Sequence, residues 1–103
     1  MDVTNLTDTN YLDYLENVTG GIILFHKKMC PHCLNMQKVL AKLSAKRSDI
    51  SIIHIDSEEN PQAMASLDVE RVPTLVIIKN GSAMGKHVGL MNPRETASLY
   101  DSL

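Results

Sequence analysis

The sequence predicts an α/β fold built on one mixed sheet, and three observations lead to this prediction. Apolar, β-prone runs at residues 22–26, 50–55 and 74–79 are typical of buried strands. Stretches with helical spacing of apolar residues separate these runs. An Asn80-Gly81 pair, the strongest two-residue hairpin signal, follows the last run. Strands joined by a crossover helix are therefore expected to be parallel, and the last two strands antiparallel.

The length and composition of the chain fit one domain spanning residues 1–103. Of its 103 residues, 44% are hydrophobic and 21% charged, and a chain of this length can bury a core without disulfides. The formal net charge of −2 provides no broad attraction to nucleic acid or an anionic membrane. No apolar run of about 18 residues could span a bilayer, and the first residues lack a secretory signal pattern. We therefore expect a cytoplasmic monomer without nucleic-acid or membrane partners.

The first part of the chain predicts an edge strand and a short helix. Residues 1–6 are expected to form the edge strand. Thr7 is expected to cap a helix whose apolar face includes Tyr11. Because glycine commonly ends a helix, this helix is predicted to stop at Gly20-Gly21.

The other three helices are each predicted to begin at a proline, which suits the first helical position because no N–H is needed there. The cap and proline pairs are Cys30-Pro31, Asn60-Pro61 and Asn92-Pro93. The first of these helices keeps its apolar spacing until Arg47. The last carries Glu95 at its third position, from which the side chain can reach back to the cap.

The only two cysteines of the chain, Cys30 and Cys33, lie where a strand passes into a helix. Two side chains three apart within a regular helix have Cβ atoms about 5–6 Å apart, whereas a disulfide needs roughly 3.5–4.5 Å. A cap position at Cys30 closes that gap, and it also exposes the sulfur to free N–H groups and the positive helix end, which favour a thiolate. Cys30 is therefore predicted to be the nucleophile, and the inward-facing Cys33 the resolving thiol.

Pro31 and His32 separate the cysteines and are predicted to tune the redox potential. A positive charge near the Cys30 thiolate stabilises the reduced form, and about 1.4 kcal/mol of such stabilisation corresponds to roughly 30 mV. The positive helix end opposes protonation of the imidazole. His32 is nevertheless expected to shift the couple towards an oxidant.

Two other uses of the cysteines remain open at this stage. A metal site of Cys30, His32 and Cys33 would need three donors within four residues to converge on one tetrahedron, and no second ligand pair lies at zinc spacing. We therefore expect no metal and no cofactor. Packing of small apolar side chains would account for Cys33 but not for Cys30.

The order of elements and five motifs resemble the thioredoxin family over nearly the whole chain. The motifs are Cys30-Pro31-His32-Cys33, Ile53-His54-Ile55-Asp56 with Asn60-Pro61, Arg71-Val72-Pro73-Thr74, Lys79-Asn80-Gly81 and Val88-Gly89. The resemblance implies a thioredoxin fold, with a central mixed sheet of four to five strands and helices on both faces. It also implies a thiol–disulfide oxidoreductase. Its partners would be disulfide-containing proteins and an upstream thiol reductase or glutathione.

The resemblance further implies a groove for a peptide substrate beside the cysteines. Pro73 would follow a cis peptide bond there, and the backbone of Val72 would pair with an extended substrate segment. Gly89 would leave room on the other side of the groove. Met29 stands where thioredoxins usually carry tryptophan, and we assign it to the same substrate surface.

Three departures from the family pattern bear on function. Pro31-His32 replaces the usual Gly-Pro pair and resembles the periplasmic oxidant DsbA, whose large helical insertion this chain has no room for. Leu24 and Ile52 occupy the positions of the buried aspartate and lysine that carry the proton of the resolving cysteine. The acceptor of that proton is therefore open between water, His32 and another group. A glutaredoxin-like use of glutathione and a metal-carrying module are the alternative functions.

Overall fold

The computed structural model describes residues 3–103, and within them helices and strands alternate as predicted. The strands are β1 Val3–Leu6, β2 Gly20–His26, β3 Ser51–Asp56, β4 Thr74–Lys79 and β5 Ser82–Val88. The helices are α1 Tyr11–Glu16, α2 Pro31–Lys46, α3 Pro61–Ser66 and α4 Pro93–Asp101. No helix in this part of the chain is long and apolar enough to cross a membrane.

The strands form one mixed sheet in the order β1-β3-β2-β4-β5. The first three strands of that order are parallel, whereas β4 is antiparallel to β2 and β5 antiparallel to β4. The predicted edge strand is confirmed over residues 3–6, residues 1 and 2 lying outside the described part of the chain, and the hairpin of the last two strands is confirmed. The rule that a crossover helix joins parallel strands holds for β2-α2-β3. It does not hold for α3, which connects β3 to the antiparallel β4 on the far side of β2.

Helices cover both faces of the sheet and divide the apolar interior into two clusters. Side chains of β2 alternate between them, since Ile23 and Phe25 join α1 and α3, while Ile22 and Leu24 join α2 and α4. This alternation follows from the two-residue repeat of a strand. The prediction of a mixed sheet with helices on both faces is confirmed.

The predicted start and end of α1 are wrong. Asn10, not Thr7, is the N-cap residue, and the carbonyl of Thr7 accepts the N–H groups of Asn10 and Tyr11. The helix ends at Glu16. Gly20 belongs to β2 instead of closing the helix, because it pairs with Lys79 of β4.

The predicted N-cap residues and N1 prolines are confirmed at α2, α3 and α4, but only the caps of α2 and α4 make a side-chain bond to their own helix. Asn92 and Glu95 form a complete capping box at α4. At α3, the Asn60 side chain makes no bond to its own helix. Instead Asp8 caps α3 from a distant loop, because its carboxylate accepts the N–H groups of Gln62 at 3.2 Å and Ala63 at 2.8 Å.

The turn between β4 and β5 has the conformation that its sequence predicts. Asn80 has φ 51° and Gly81 has φ 79°, so both central residues lie in the left-handed region, as a type I′ turn requires. The N–H of Gly81 also donates to the carbonyl of Val18 at 2.9 Å. The hairpin is therefore attached to the segment that follows α1.

Candidate active site

The two cysteines lie at the edge of the sheet where β2 ends. Residues 27–29 are exposed and connect His26, the last residue of β2, to Cys30. Met29 has φ 55°, a left-handed conformation that reverses the chain direction just before the helix. Cys30 thus lies shortly after the end of β2, at the beginning of α2.

Cys30 is the N-cap of α2 and forms a disulfide with Cys33. Its backbone is extended, with φ −120° and ψ 101°, and Pro31 occupies the first helical position. The Cα atoms of the two cysteines are 5.2 Å apart, within the range that disulfides require. The backbone N–H of Cys33 donates to the Cys30 sulfur at 3.2 Å. The predicted cap geometry is confirmed, and it aims an unpaired helix N–H at this sulfur.

The two cysteines differ in their access to solvent. Cys33 is 1% exposed and Cys30 is 8% exposed, whereas Pro31 and His32 are exposed. The sulfur of a partner protein must approach the disulfide from its solvent-exposed side. Cys30 is therefore the more exposed of the two residues, and Cys33 is fully buried.

Pro73 lies at the same edge of the sheet as the end of β2. The pairing of Phe25 with Thr74 places Pro73 level with His26, next to the segment that carries the cysteines. The Val72–Pro73 peptide bond is cis, as the family resemblance implies. Pro73 is buried, and Val72 is half-buried.

Gly89 is joined to Pro73 and borders open space. Its N–H donates to the carbonyl of Pro73 at 2.9 Å. Its φ of 96° favours glycine, and a Cβ added at this position would meet no atom within 4 Å. The structure therefore brings Val72, Pro73 and Gly89 together at this edge, with free volume beside Gly89.

Several large apolar side chains near these segments are exposed to solvent. Met29 is 99% exposed. The others are Leu34 in the first turn of α2 and Val88 and Leu90 on either side of Gly89. Among these residues, the exposure of Leu34 could be predicted from the sequence, because Leu34 falls outside the apolar stripe of α2. Exposed apolar groups of this kind suit contact with another protein.

Leu24 and Ile52 are buried in the apolar cluster beneath α2. Neither side chain can therefore accept the proton of the resolving cysteine. The strand pairing places His54 beside Leu24. Burial, and to a lesser degree the nearby His26, lower the pKa of His54 to about 4. Its Nε2 atom is buried and has no hydrogen-bond partner. From sequence His54 has the pattern of a packed strand residue, so only the register of β2 and β3 singles it out.

Within residues 3–103 no group of three or more His, Cys, Asp or Glu side chains could hold a metal ion. The two sulfurs that would have to supply such a site are bonded to each other.

The structure combines a mixed sheet between two helical layers with a disulfide at the start of the helix that follows the central strand. This combination defines a thiol–disulfide oxidoreductase. The sequence comparisons agree with this class. The thioredoxin family model matches residues 2–102. The chain therefore belongs to the thioredoxin family, and it is a protein disulfide oxidoreductase.

Individual relatives support the same assignment over almost the full chain. The thioredoxin of Staphylococcus saprophyticus is 32% identical over 104 residues, covering 98% of this chain and 97% of the relative. The thioredoxin of Staphylococcus haemolyticus is 30% identical with the same coverage.

Solved structures agree with the fold. The solution structure of reduced desulfothioredoxin from Desulfovibrio vulgaris Hildenborough is 41% identical, with a TM-score of 0.86 and complete coverage of both chains. The crystal structure of oxidised mitochondrial thioredoxin 3 from Saccharomyces cerevisiae is 28% identical, with a TM-score of 0.87, and covers 98% of this chain and 95% of that one.

Proposed function

We propose that the protein exchanges disulfides with protein partners, with Cys30 as the nucleophile and Cys33 as the resolving thiol. The observation that carries this assignment is the asymmetry of the pair. The Cys30 sulfur accepts a helix N–H at the N-cap, and Cys30 is the more exposed of the two residues. Both features favour a reactive thiolate. Cys33 is buried one turn further along, where its thiol stays protonated until resolution.

The reaction proceeds through one mixed disulfide. The Cys30 thiolate attacks one sulfur of a partner disulfide, and the other partner sulfur leaves as a thiolate. Cys33 then loses its proton and attacks the Cys30 sulfur, so that the second partner sulfur leaves. Two electrons pass from the dithiol to the partner, and the Cys30–Cys33 disulfide remains. The reverse sequence oxidises a partner dithiol.

The substrate is an extended protein segment that binds beside the disulfide. The half-buried Val72 offers its backbone next to Pro73, and the open space at Gly89 accommodates the segment on the other side. The exposed side chain of Met29 supplies apolar contact. These residues support a preference for protein disulfides over small-molecule disulfides.

We further propose that the couple is more oxidising than one with the usual Gly-Pro pair, because the imidazole of His32 stabilises the Cys30 thiolate. An upstream thiol reductase or glutathione would recharge the dithiol. The chain would act as a cytoplasmic monomer of one domain, carrying electrons within the thiol pool.

Serine variants of the two cysteines test these roles. We expect Cys30→Ser to abolish exchange with a protein disulfide. We expect Cys33→Ser to accumulate mixed disulfides between Cys30 and the partner, because the first attack no longer leads to resolution. Non-reducing gel electrophoresis after acid quenching and alkylation measures both outcomes. Exchange by Cys30→Ser at the wild-type rate, or mixed disulfides through Cys33 in that variant, would contradict the assignment.

A further inference from the structure

His54 lies on the same side of the sheet as the disulfide. Along β3, Ile53 and Ile55 belong to the cluster under α1 and α3, whereas Ile52 belongs to the cluster under α2. Because side chains alternate along a strand, His54 shares the α2 face with Ile52. Its partner on β2 is Leu24, and neighbouring strands are only about 4.8 Å apart.

The first turn of α2 begins at the end of the sheet where β2 ends. The helix follows β2 through a short loop and packs against both β2 and β3, so it runs back from the edge where β2 ends. His26 pairs with Asp56, which means that β3 ends at the same edge. His54 lies two residues before that edge, about 7 Å along the strand at 3.3 Å per residue. The buried Cys33, in the first turn of α2, therefore lies over the level of His54.

His54 is a neutral, unpartnered base in the folded protein at neutral pH. Burial is the first cause of its low pKa, and the nearby His26 ring, whose centroid is 5.5 Å away, is the second. The Nε2 atom is fully buried without a hydrogen-bond partner, although the residue as a whole is half-buried. An unpartnered polar atom in a protein interior is costly and therefore calls for a functional explanation.

The other titratable groups around His54 are Asp56, His26 and two exposed side chains of α2. On β3, the Asp56 carboxylate accepts the N–H groups of Glu58 and Glu59 in the turn that follows. The neighbour of His54 on β1 is Asn5, which does not titrate. His32 and Lys38 on α2 are exposed, and on β2 the remaining group is His26 itself.

We propose that His54 accepts the proton that Cys33 must lose in the resolving step, a role that presupposes the proposed functions of the two cysteines. The Cys33 thiol transfers its proton to the imidazole while its sulfur attacks the Cys30 sulfur of the mixed disulfide. The Cys30–Cys33 bond forms, the bond from Cys30 to the partner breaks, and the partner leaves as a thiolate. Solvent at the half-buried ring then removes the proton, which returns to the partner thiolate.

The low basicity of a neutral buried imidazole is compatible with this step. An opposite charge close by favours the charged form of a group, and a thiolate developing on Cys33 supplies such a charge. His54 therefore becomes a stronger base only while Cys33 is ionising. In the reverse direction the imidazolium returns the proton to the Cys33 thiolate when the disulfide is opened.

Reaction with a small aromatic disulfide, 5,5′-dithiobis(2-nitrobenzoate), separates the two steps in one stopped-flow trace. Attack by Cys30 releases the first thionitrobenzoate, and resolution by Cys33 releases the second. For His54→Leu at pH 7 we expect an unchanged first phase and a second phase slowed by about a hundredfold, the lower end of typical general-base effects. The second phase of this variant should rise about tenfold per pH unit between pH 7 and 9, because hydroxide would then be the remaining base.

Three further variants make the result specific. His54→Gln retains polarity and volume without a comparable base, so it should be slow like His54→Leu, whereas His54→Asp should recover a faster second phase. His87→Gln replaces another half-buried histidine, on β5, and should leave both phases unchanged. Far-ultraviolet circular dichroism and melting temperatures check that each variant is folded.

Two results would count against the inference in different ways. A wild-type second phase in both His54→Leu and His54→Gln, with a normal first phase, would overturn the role of His54 and leave the cysteine roles intact. Absence of the first phase in the wild-type protein would overturn the proposed function itself, and the role of His54 with it.

Discussion

His32 is exposed in the first turn of α2, two residues after a sulfur that already accepts a backbone N–H. A backbone N–H group therefore already contacts the Cys30 sulfur, and the proposed effect of His32 would add to that contact. The N–H group is fixed by the backbone and is present whatever the residue between the cysteines. The contribution of the histidine is thus the part of the redox potential that a side-chain change can remove.

We expect His32→Ala to make the dithiol more reducing. Loss of the imidazole destabilises the Cys30 thiolate and hence the reduced form, with roughly 30 mV for each 1.4 kcal/mol. Equilibration with glutathione buffers, followed by alkylation and gel shift, measures the potential without tryptophan fluorescence, since the chain contains no tryptophan. His87→Ala is the matched control and should leave the potential unchanged. A potential that stays the same or rises in His32→Ala would contradict the tuning role.

At the scale of elements, the connection between the loop after β1 and α3 is the least expected feature. The Asn60 side chain accepts the N–H of Asp8 at 2.8 Å and donates to the carbonyl of Asp56 at 2.9 Å. Asp8 in turn caps α3. Because Asn60 is 4% exposed, water cannot replace these bonds without disturbing the packing.

We expect Asn60→Ala to destabilise the protein by about 2 kcal/mol, because it leaves partly buried polar groups without partners. Asn92→Ala is the matched control, since Asn92 is an exposed cap and its loss should cost about 1 kcal/mol. Urea denaturation followed by circular dichroism gives both values. Equal or smaller destabilisation by Asn60→Ala would show that the connection to Asp8 contributes little.

Asn60 and Asn92 show which contacts of helices and turns could be predicted from the sequence. The capping box of Asn92 and Glu95 and the turn at Asn80-Gly81 involve neighbours in the chain, so local patterns identify them. The bond between Asp8 and Ala63 joins residues 55 positions apart. No local pattern contains that information, because it arises only when the sheet brings the two segments together.

At the scale of the whole molecule, the stability of the fold should depend on the charge of His54. Its folded pKa of about 4 lies below the ordinary value of 6.5, so the unfolded chain binds more protons between these values. The contribution is therefore complete above pH 6.5 and is lost as the pH falls to about 4. For a partly buried ring we expect it to be about 1–2 kcal/mol, allowing for screening by solvent.

Melting temperatures between pH 7 and pH 4 test this contribution by comparison with His54→Leu. The wild-type protein should lose more stability over this interval than the variant, because leucine does not titrate. The comparison is needed since Asp49 and Asp101, whose pKa values Arg47 lowers through hydrogen bonds, also lose stabilisation in acid. Parallel pH profiles for the two proteins would mean that His54 has an ordinary pKa in the fold.

The site was predictable from the sequence where it depends on adjacent residues, and not where it depends on strand register. Cys30, Pro31 and Cys33 specify a capped helix start by their order alone. The position of His54 beside Leu24 requires knowing that β3 lies next to β2 in a particular register. A shift of that register by one residue would turn the histidine to the opposite face. Sheet order is thus the information that separates an unremarkable strand histidine from a candidate proton acceptor.

The division of the interior by the sheet has a consequence for engineering. Cys33 and His54 lie on the α2 face, whereas the cluster formed with α1 and α3 contains neither. Side chains in that second cluster, such as Phe25 and Ile53, can be exchanged for others of similar volume at modest cost in stability. Val72 of the proposed substrate groove packs against this cluster. Exchanges away from Val72 therefore offer one half of the core for redesign of thermal tolerance, while the other half retains the disulfide-exchange chemistry.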